Sequence, residues 1–411
     1  MATEIATKKQ LSIFTIAATY IGTVVGAGFA SGQEVLQFFG YFGLPGIIGL
    51  AATTVFLAFF GYVILELGRR LKADSHLPVI RYAGGKWVGS VIDWVITFFL
   101  FGGLVTMGAG AGAIFAEQFG FSSFWGSLVM IAVSLGTVLL GISGVVRSIS
   151  FVVPVLLTAV FGVAIYTIAT DFGSLMSSLG GYSNPGGAPV PFWPLTAVLY
   201  ASYNLVLAVA ILAPLGTMSS PEKLKTGAIL GGIGLGIGAT AINLAILTHV
   251  GRAAGYEIPM IFVAGTISPV VRIIYTIVLL AEIYTTAVSS LYGFVARMSK
   301  QGTAKYRWYS MGASVGAFGL AQFGFSNLVG TLFPAVGFAG LLLLGALIYG
   351  FIRARTARGT LVPAGIFPRQ PGPAMAFEIS KELAGIERTP PQRETPMPTE
   401  SDTSKRMKKY R

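Results

Sequence analysis

Ten apolar stretches, each of about twenty residues or more, constrain this chain more than any other feature, because each can cross ~30 Å of hydrocarbon at ~1.5 Å per helical residue. They run Leu11–Phe39, Leu44–Leu67, Val88–Phe119, Phe124–Ile142, Val145–Thr170, Trp193–Gly216, Leu224–Gly251, Ile267–Met298, Trp308–Phe325 and Leu328–Phe351. Backbone groups in lipid must pair within their own segment, so each stretch is expected to be a helix; the runs lack the ten-residue alternation of barrel strands. Composition agrees. The chain is 54% hydrophobic and 11% charged, against roughly a quarter charged in soluble domains, which excludes an ordinary cytosolic enzyme. Lys8 and Lys9 ahead of the first stretch, with small residues around Gly26 to Ser31, also fit a cleaved signal peptide. The apolar character resumes at Val35–Phe39 and nine more spans follow, which favours a retained first span.

The basic residues decide orientation. With the N-terminus inside, the even-numbered connections are cytoplasmic and hold Arg69, Arg70, Lys72, Arg81, Lys86, Arg147, Lys223, Lys225, Arg297, Lys300, Lys305 and Arg307, whereas the opposite side has Arg252 alone. The positive-inside bias therefore predicts ten spans with both termini cytoplasmic. The net charge of +12 is no nucleic-acid footprint, since the bases are not gathered on one folded module. Residues 353–411 carry twelve bases, six acids and eight of the 20 prolines. Two domains follow: a membrane domain over 1–352 and a disordered basic, Pro-rich cytoplasmic tail over 353–411. The tail's basic end either lies on anionic lipid heads or is simply solvated.

Little supports catalysis. The chain has no cysteine and two histidines, His76 and His249, expected in a loop and at a span end. No nucleophile, base and orienting group come together. Gly231–Gly238 and Gly102–Gly112 do not lie between a strand and a helix, so packing explains them better than phosphate binding. No cofactor is expected, and nothing in the sequence fixes an oligomeric state.

The first span carries the strongest functional signal. Its Tyr-Ile-Gly-Thr-Val-Val-Gly-Ala-Gly-Phe-Ala-Ser-Gly-Gln-Glu run (20–34) places four glycines and then a carboxylate in mid-span. Gly22, Gly26 and Gly32 could serve close helix packing. Alternatively the helix unwinds near Val24–Ala27, exposing carbonyls to a cation and amides to an anion. Glu34 favours the second, since close packing needs no carboxylate and a polar cavity tolerates one. The sixth span has a polar interruption at Ser202, Tyr203 and Asn204. As the first span of a second set of five, it points to an inverted-repeat carrier with both first spans discontinuous. In the eighth span Glu282, Thr285, Thr286, Ser289, Ser290 and Gly293 share one helical face. Stacked oxygens suit sodium, or with Glu282 a proton. Hydroxyls bonded to their own preceding turn would explain the Ser and Thr residues but not Glu282.

The 20–34 run, Ala-Ser-Tyr-Asn (201–204) and Glu-Ile-Tyr-Thr-Thr-Ala-Val-Ser-Ser-Leu-Tyr-Gly (282–293) resemble the YkvI family of bacterial membrane proteins over residues 10–350. That family is similar to the amino acid–polyamine–organocation superfamily with the LeuT-type fold. The resemblance implies an all-α membrane protein of ten helices in a 5+5 inverted repeat, helices 1 and 6 discontinuous. It implies an ion held by the carbonyls of Gly22 and Val25 with Thr285 and Thr286, Ser289 and Ser290 being the alternative one turn away. Substrate would meet Thr23 and the amides of Ala27 and Gly28, opposite Ser202–Asn204. Glu34 and Glu282 depart from the usual sodium-site pattern and bring proton coupling into play.

The sequence thus leads to a secondary transporter, coupled to Na+ or H+, for a small polar solute such as an amino acid or related amine. A non-transporting receptor or partner subunit on the same scaffold, or a channel, is the rival.

Overall fold

A computed structural model describes residues 10–140 and 143–356, and the elements described are helical. In chain order they are α1 (Ile13–Val24), α2 (Ala27–Ser31), α3 (Gln33–Phe38), α4 (Leu44–Arg70), α5 (Leu77–Phe119), α6 (Ser123–Leu140), α7 (Ser143–Thr170), α8 (Phe172–Gly181), α9 (Trp193–Leu215), α10 (Pro221–Thr248), α11 (Val250–Ala253), α12 (Pro259–Ile267), α13 (Pro269–Met298), α14 (Ala304–Ala321) and α15 (Phe325–Thr356). Among the described residues seven helices are long and apolar enough to cross a membrane: α4, α5, α6, α9, α10, α13 and α15. The pair α7 and α8, bent by 87°, makes an eighth. Of the ten expected spans, the two outside this set are the first, which is interrupted, and the ninth, α14, which opens on Lys305 and Arg307. Phe14, Trp94, Val133, Ile165, Ile277 and Val315 point outward. That apolar exterior is what a bundle needs in lipid, and the chain is a multi-pass membrane protein.

The helices at the centre pack closely because small residues stand at their crossings. A side chain added at Gly68 or Gly216 would strike the α9 or α4 backbone, at Ala213 and Leu65, and one at Gly232 would lie 2.5 Å from Ala58 N. Backbones that approach this closely gain dispersion contacts that larger side chains would prevent. The glycine runs in α5 and α10 are thus packing surfaces. Gly108 faces Ile131, and Gly231 faces Tyr20. The packing also has a pattern. α1 lies on α10 and α9 on α4; α5 lies on α6 and α15, and α13 on α14 and α7.

The α9 helix corrects one expectation. It is continuous from Trp193 to Leu215, so the sixth span is not broken at its polar triplet. The reason lies in the hydrogen bonds: Asn204 Nδ2 donates to the Tyr200 carbonyl one turn back (2.9 Å), and Ser202 Oγ donates to Gly337 O of α15 (2.8 Å). Polar side chains that find partners without unwinding the backbone give the helix no cause to break.

At the end where α4 finishes and α5 begins, polar groups tie the bundle together. Asp93 accepts from Arg297 and lies 2.9 Å from His76 Nε2, while Arg297 Nε donates to Thr97 Oγ1 (2.8 Å). Burial pushes the His76 imidazole below its ordinary value, against the opposing pull of Asp93. His76, expected only in a loop, thus joins Asp93, Thr97 and Arg297 in one cluster. Nearby, Glu66 pairs with Arg69 and Arg70, and Arg70 Nη1 reaches Ala354 O (2.7 Å). Arg353 stacks over Tyr82 at 5.0 Å. Both contacts fall on the last turn of α15, so residues 353–356, expected to open the tail, are helical. The rest of the expected tail, 357–411, lies outside the described residues.

Candidate functional site

The site grows from the interrupted first span. Helix geometry stops at Val24; Val25 (φ −69°, ψ 114°) and Gly26 (φ −138°, ψ −172°) are extended, and α2 begins at Ala27. A second turn follows at Gly32, whose φ of +79° lies in the left-handed region. An added Cβ there would also lie 2.7 Å from Ile246 and 2.8 Å from Met260, side chains that would have to shift, so it is chiefly the backbone angle that calls for glycine. Ser31 secures the turn: its Oγ donates to Gly28 O (2.7 Å) and accepts from Gln33 N (3.2 Å). Tyr275 of α13 donates to Ala30 O (2.6 Å) and fastens α2 to the eighth span.

Beyond the Gly32 turn, α3 brings Glu34 against α2. The Glu34 carboxylate stands where a Cβ at Gly28 would be, and it accepts a hydrogen bond from Tyr203 Oη of α9. It is 6% exposed. Tyr203 packs in an aromatic group with Phe38, Tyr200, Phe99 and Phe333, ring centroids 5.1–6.0 Å apart. These rings exclude water and leave a low-dielectric surround in which a carboxylate demands a partner.

On the other side of the break stands α13. Thr286 Oγ1 lies 3.7 Å from the Cβ position of Gly26 and 3.5 Å from Glu282 Oε1. Glu282 is 3% exposed, and its Oε2 is buried without a hydrogen-bond partner among the described residues. A bare buried carboxylate oxygen is costly, at least ~3 kcal/mol in a membrane, and calls for a cation or a proton. Two other hydroxyls on that face are turned to their own helix, Thr285 Oγ1 donating to Glu282 O (3.0 Å) and Ser289 Oγ to Thr285 O (2.7 Å), while Ser290 Oγ lies against Gly103 of α5. Thr23 Oγ1 likewise donates to Thr19 O (2.7 Å).

Of the residues singled out in the sequence, the structure groups Gly28, Glu34 and Tyr203 on one side of the break, and Gly26, Thr286 and Glu282 on the other. Ser202 and Asn204 are drawn into helix contacts instead. The amides of Ala27 and Gly28, which the resemblance offers to a substrate carboxylate, are approached at Gly28 by the protein's own carboxylate from Glu34. Sequence reasoning did not find the aromatic group, Tyr275, or the pair Gln33 and Gln37, whose amides donate to Ser326 Oγ (2.8 Å) and Ser326 O (2.9 Å). The one available signal was three polar side chains within five residues, Gln33, Glu34 and Gln37.

This chain is 32% identical over 342 residues to the membrane protein YkvI of Bacillus subtilis, covering 81% of its own length and 94% of that relative. The chain belongs to the YkvI family. A second member-like sequence, YyaD of Bacillus subtilis, is 26% identical over 329 residues, covering 80% and 94%. No protein-family model matches the chain. Among solved structures, MhsT in complex with L-phenylalanine superposes with a TM-score of 0.58 at 16% identity, covering 92% of this chain and 96% of that one. Inward-facing Mhp1 gives 0.59 at 16% identity, covering 83% and 76%. A Na+-coupled sialic acid symporter gives 0.55 at 12% identity, covering 86% and 91%. The YkvI family chain therefore has the LeuT-type fold.

Proposed function

We propose that this YkvI family protein is a cation-coupled secondary transporter of a small amine-bearing solute, an amino acid or a related amine, working by alternating access. One observation carries the reading: the Glu34 carboxylate, held by Tyr203 of α9, sits against the α1–α2 break inside a water-excluding aromatic group. A carboxylate at that point, when ionised, is complementary to an ammonium and opposed to a solute whose only charge is a carboxylate. Gly28, Glu34 and Tyr203 are the solute-binding residues in this reading, with Thr23 and Ala27 bordering them. Ser202 and Asn204 support α9.

Coupling is assigned to the other side of the break. Glu282, with its unpartnered oxygen, and Thr286, facing Gly26, hold the ion or proton, with the carbonyls of Gly22 and Val25 completing a sodium site. Na+ and H+ are both compatible with a carboxylate beside a hydroxyl. Ten spans in two inverted sets of five fit the packing, because shifting each span by five maps the contact of α1 with α10 onto that of α9 with α4, and α5 with α15 onto α13 with α7. Both termini would be cytoplasmic in a bacterial inner membrane.

Vesicles reconstituted with the pure protein test this. A mixed pool of amino acids and amines is expected to yield at least one solute accumulated under an inward Na+ or H+ gradient. No accumulation under either gradient overturns the coupled carrier.

A further inference from the structure

A second polar assembly stands apart from Glu34 and Glu282 and joins three distant pieces of chain. Glu257, in the connection between α11 and α12, accepts from the Phe325 and Ser326 amides through Oε2 (2.5 and 3.2 Å). These are the first two amides of α15, which have no carbonyl partner within the helix. A carboxylate there gains from charge-assisted bonds and from the positive end of a 32-residue helix. Glu257 is itself held, because its backbone amide donates to Glu117 Oε1 of α5 (2.6 Å).

Ser326 then carries the contact inward. Its Oγ accepts from Gln33 Nε2 (2.8 Å) and its carbonyl accepts from Gln37 Nε2 (2.9 Å). Gln33 and Gln37 are four residues apart on α3 and present one face to α15. The residue following Gln33 is Glu34. A six-residue helix flanked by a left-handed glycine at its start has little stability of its own, so its place depends on what grips it. The grip is incomplete by construction: Gln33 Oε1 and Gln37 Oε1 are buried with no partner among the described residues, as is Glu117 Oε2. Two amide bonds hold α3, and the carbonyl half of each glutamine offers nothing further.

We infer that Glu257 is a positioning residue for the Glu34 site: it fixes the start of α15, and through Ser326, Gln33 and Gln37 it fixes α3 and the Glu34 carboxylate. The connection between α11 and α12 thereby controls how long α3 stays folded over the break. This rests on the reading of Glu34 as the solute-binding group only for its transport consequence; the control of α3 stands on geometry alone.

The test uses amide hydrogen exchange of the full-length protein in lipid nanodiscs, comparing wild type with Glu257→Gln. Taking the negative charge out of these two bonds, whose acceptor becomes a neutral amide oxygen, is expected to speed exchange about tenfold in peptides covering 33–39 and 325–330, with the middle of α4 and of α10 unchanged. Ser326→Ala, which removes only the Gln33 bond, is expected to speed exchange in 33–39 by about threefold and to leave 325–330 near wild type. It also carries the test if Glu257→Gln does not fold. Exchange in 33–39 unchanged within twofold in both variants overturns the inference, and so does an acceleration shared by every helix, which would mark a general stability role. In vesicles, Glu257→Gln is expected to raise KM more than it lowers kcat. Faster α3 exchange with no solute transported by any variant would sink the transporter reading and leave the control of α3 standing.

Discussion

Glu34 and Glu282 are two acids of the same kind, buried to nearly the same degree at 6% and 3% exposure, in two very different settings. Glu34 rides on a short helix between two turns, and a tyrosine from another span donates to it. Glu282 is fixed in the 30-residue α13, with one oxygen 3.5 Å from Thr286 and the other without a hydrogen-bond partner among the described residues. In the proposed transporter a carboxylate on a short helix between two turns is the one placed to meet a solute. One on a rigid helix, missing a partner, fits an ion or proton that arrives from outside the fold. Burial alone would have made them equivalent; their company separates them.

The sharpest break in this comparison comes from neutralising each acid. Glu34→Gln is expected to lower solute binding by at least about a hundredfold, since the charge facing an ammonium is lost. Glu282→Gln should keep binding within about threefold and abolish accumulation under a gradient. Binding and counterflow assays on both variants decide it, and the reverse pattern would exchange the two roles. Tyr203→Phe removes one bond to a carboxylate, worth about 1.5–3 kcal/mol, and should weaken solute affinity by roughly tenfold to a hundredfold with coupling intact. Thr286→Ala should raise the half-saturating sodium concentration by about tenfold if the ion is Na+; unchanged sodium dependence removes Thr286 from the site.

The smallest effect is a control far from both acids. His76, whose value burial holds below that of an unfolded histidine, binds fewer protons folded than unfolded. Stability should therefore fall as the pH drops from about 7 through the lowered value, by the usual linkage. His76→Gln should flatten that fall in thermal melts while leaving the contrast between Glu34→Gln and Glu282→Gln unchanged. Asp93, Arg297 and Arg81 surround the ring, so the same melts on Asp93→Asn show whether the cluster titrates as one unit.

Much of the fold was legible in the chain. Apolar length marked α4, α5, α6, α7, α9, α10, α13, α14 and α15 to within a few residues at most ends, because hydrocarbon imposes one simple demand on every backbone group, whereas the short α8, α11 and α12 carried no such mark. The glycine and carboxylate signal at 22–34 marked the place where the chain leaves helix geometry. The polar triplet at 202–204 misled, because a side chain that finds a carbonyl on its own or a neighbouring helix is indistinguishable in sequence from one exposed at a break. On the eighth-span face Glu282, Thr285 and Ser290 are buried together, but which hydroxyls turn inward depended on hydrogen bonds to the preceding turn.

By itself the sequence determined that this is an all-helical membrane protein, that its first span leaves helix geometry near Val24–Ala27, and that two acids lie deep within it. These follow from local chemistry: apolar length, glycine content and the cost of charge in lipid. Only the tertiary structure decided that Tyr203 meets Glu34 across 169 positions, that Gln33 meets Ser326 across 293, and that Glu282 keeps a bare oxygen. Partners so far apart in the chain are set by how the helices pack, and a residue's own neighbours in sequence carry no record of it.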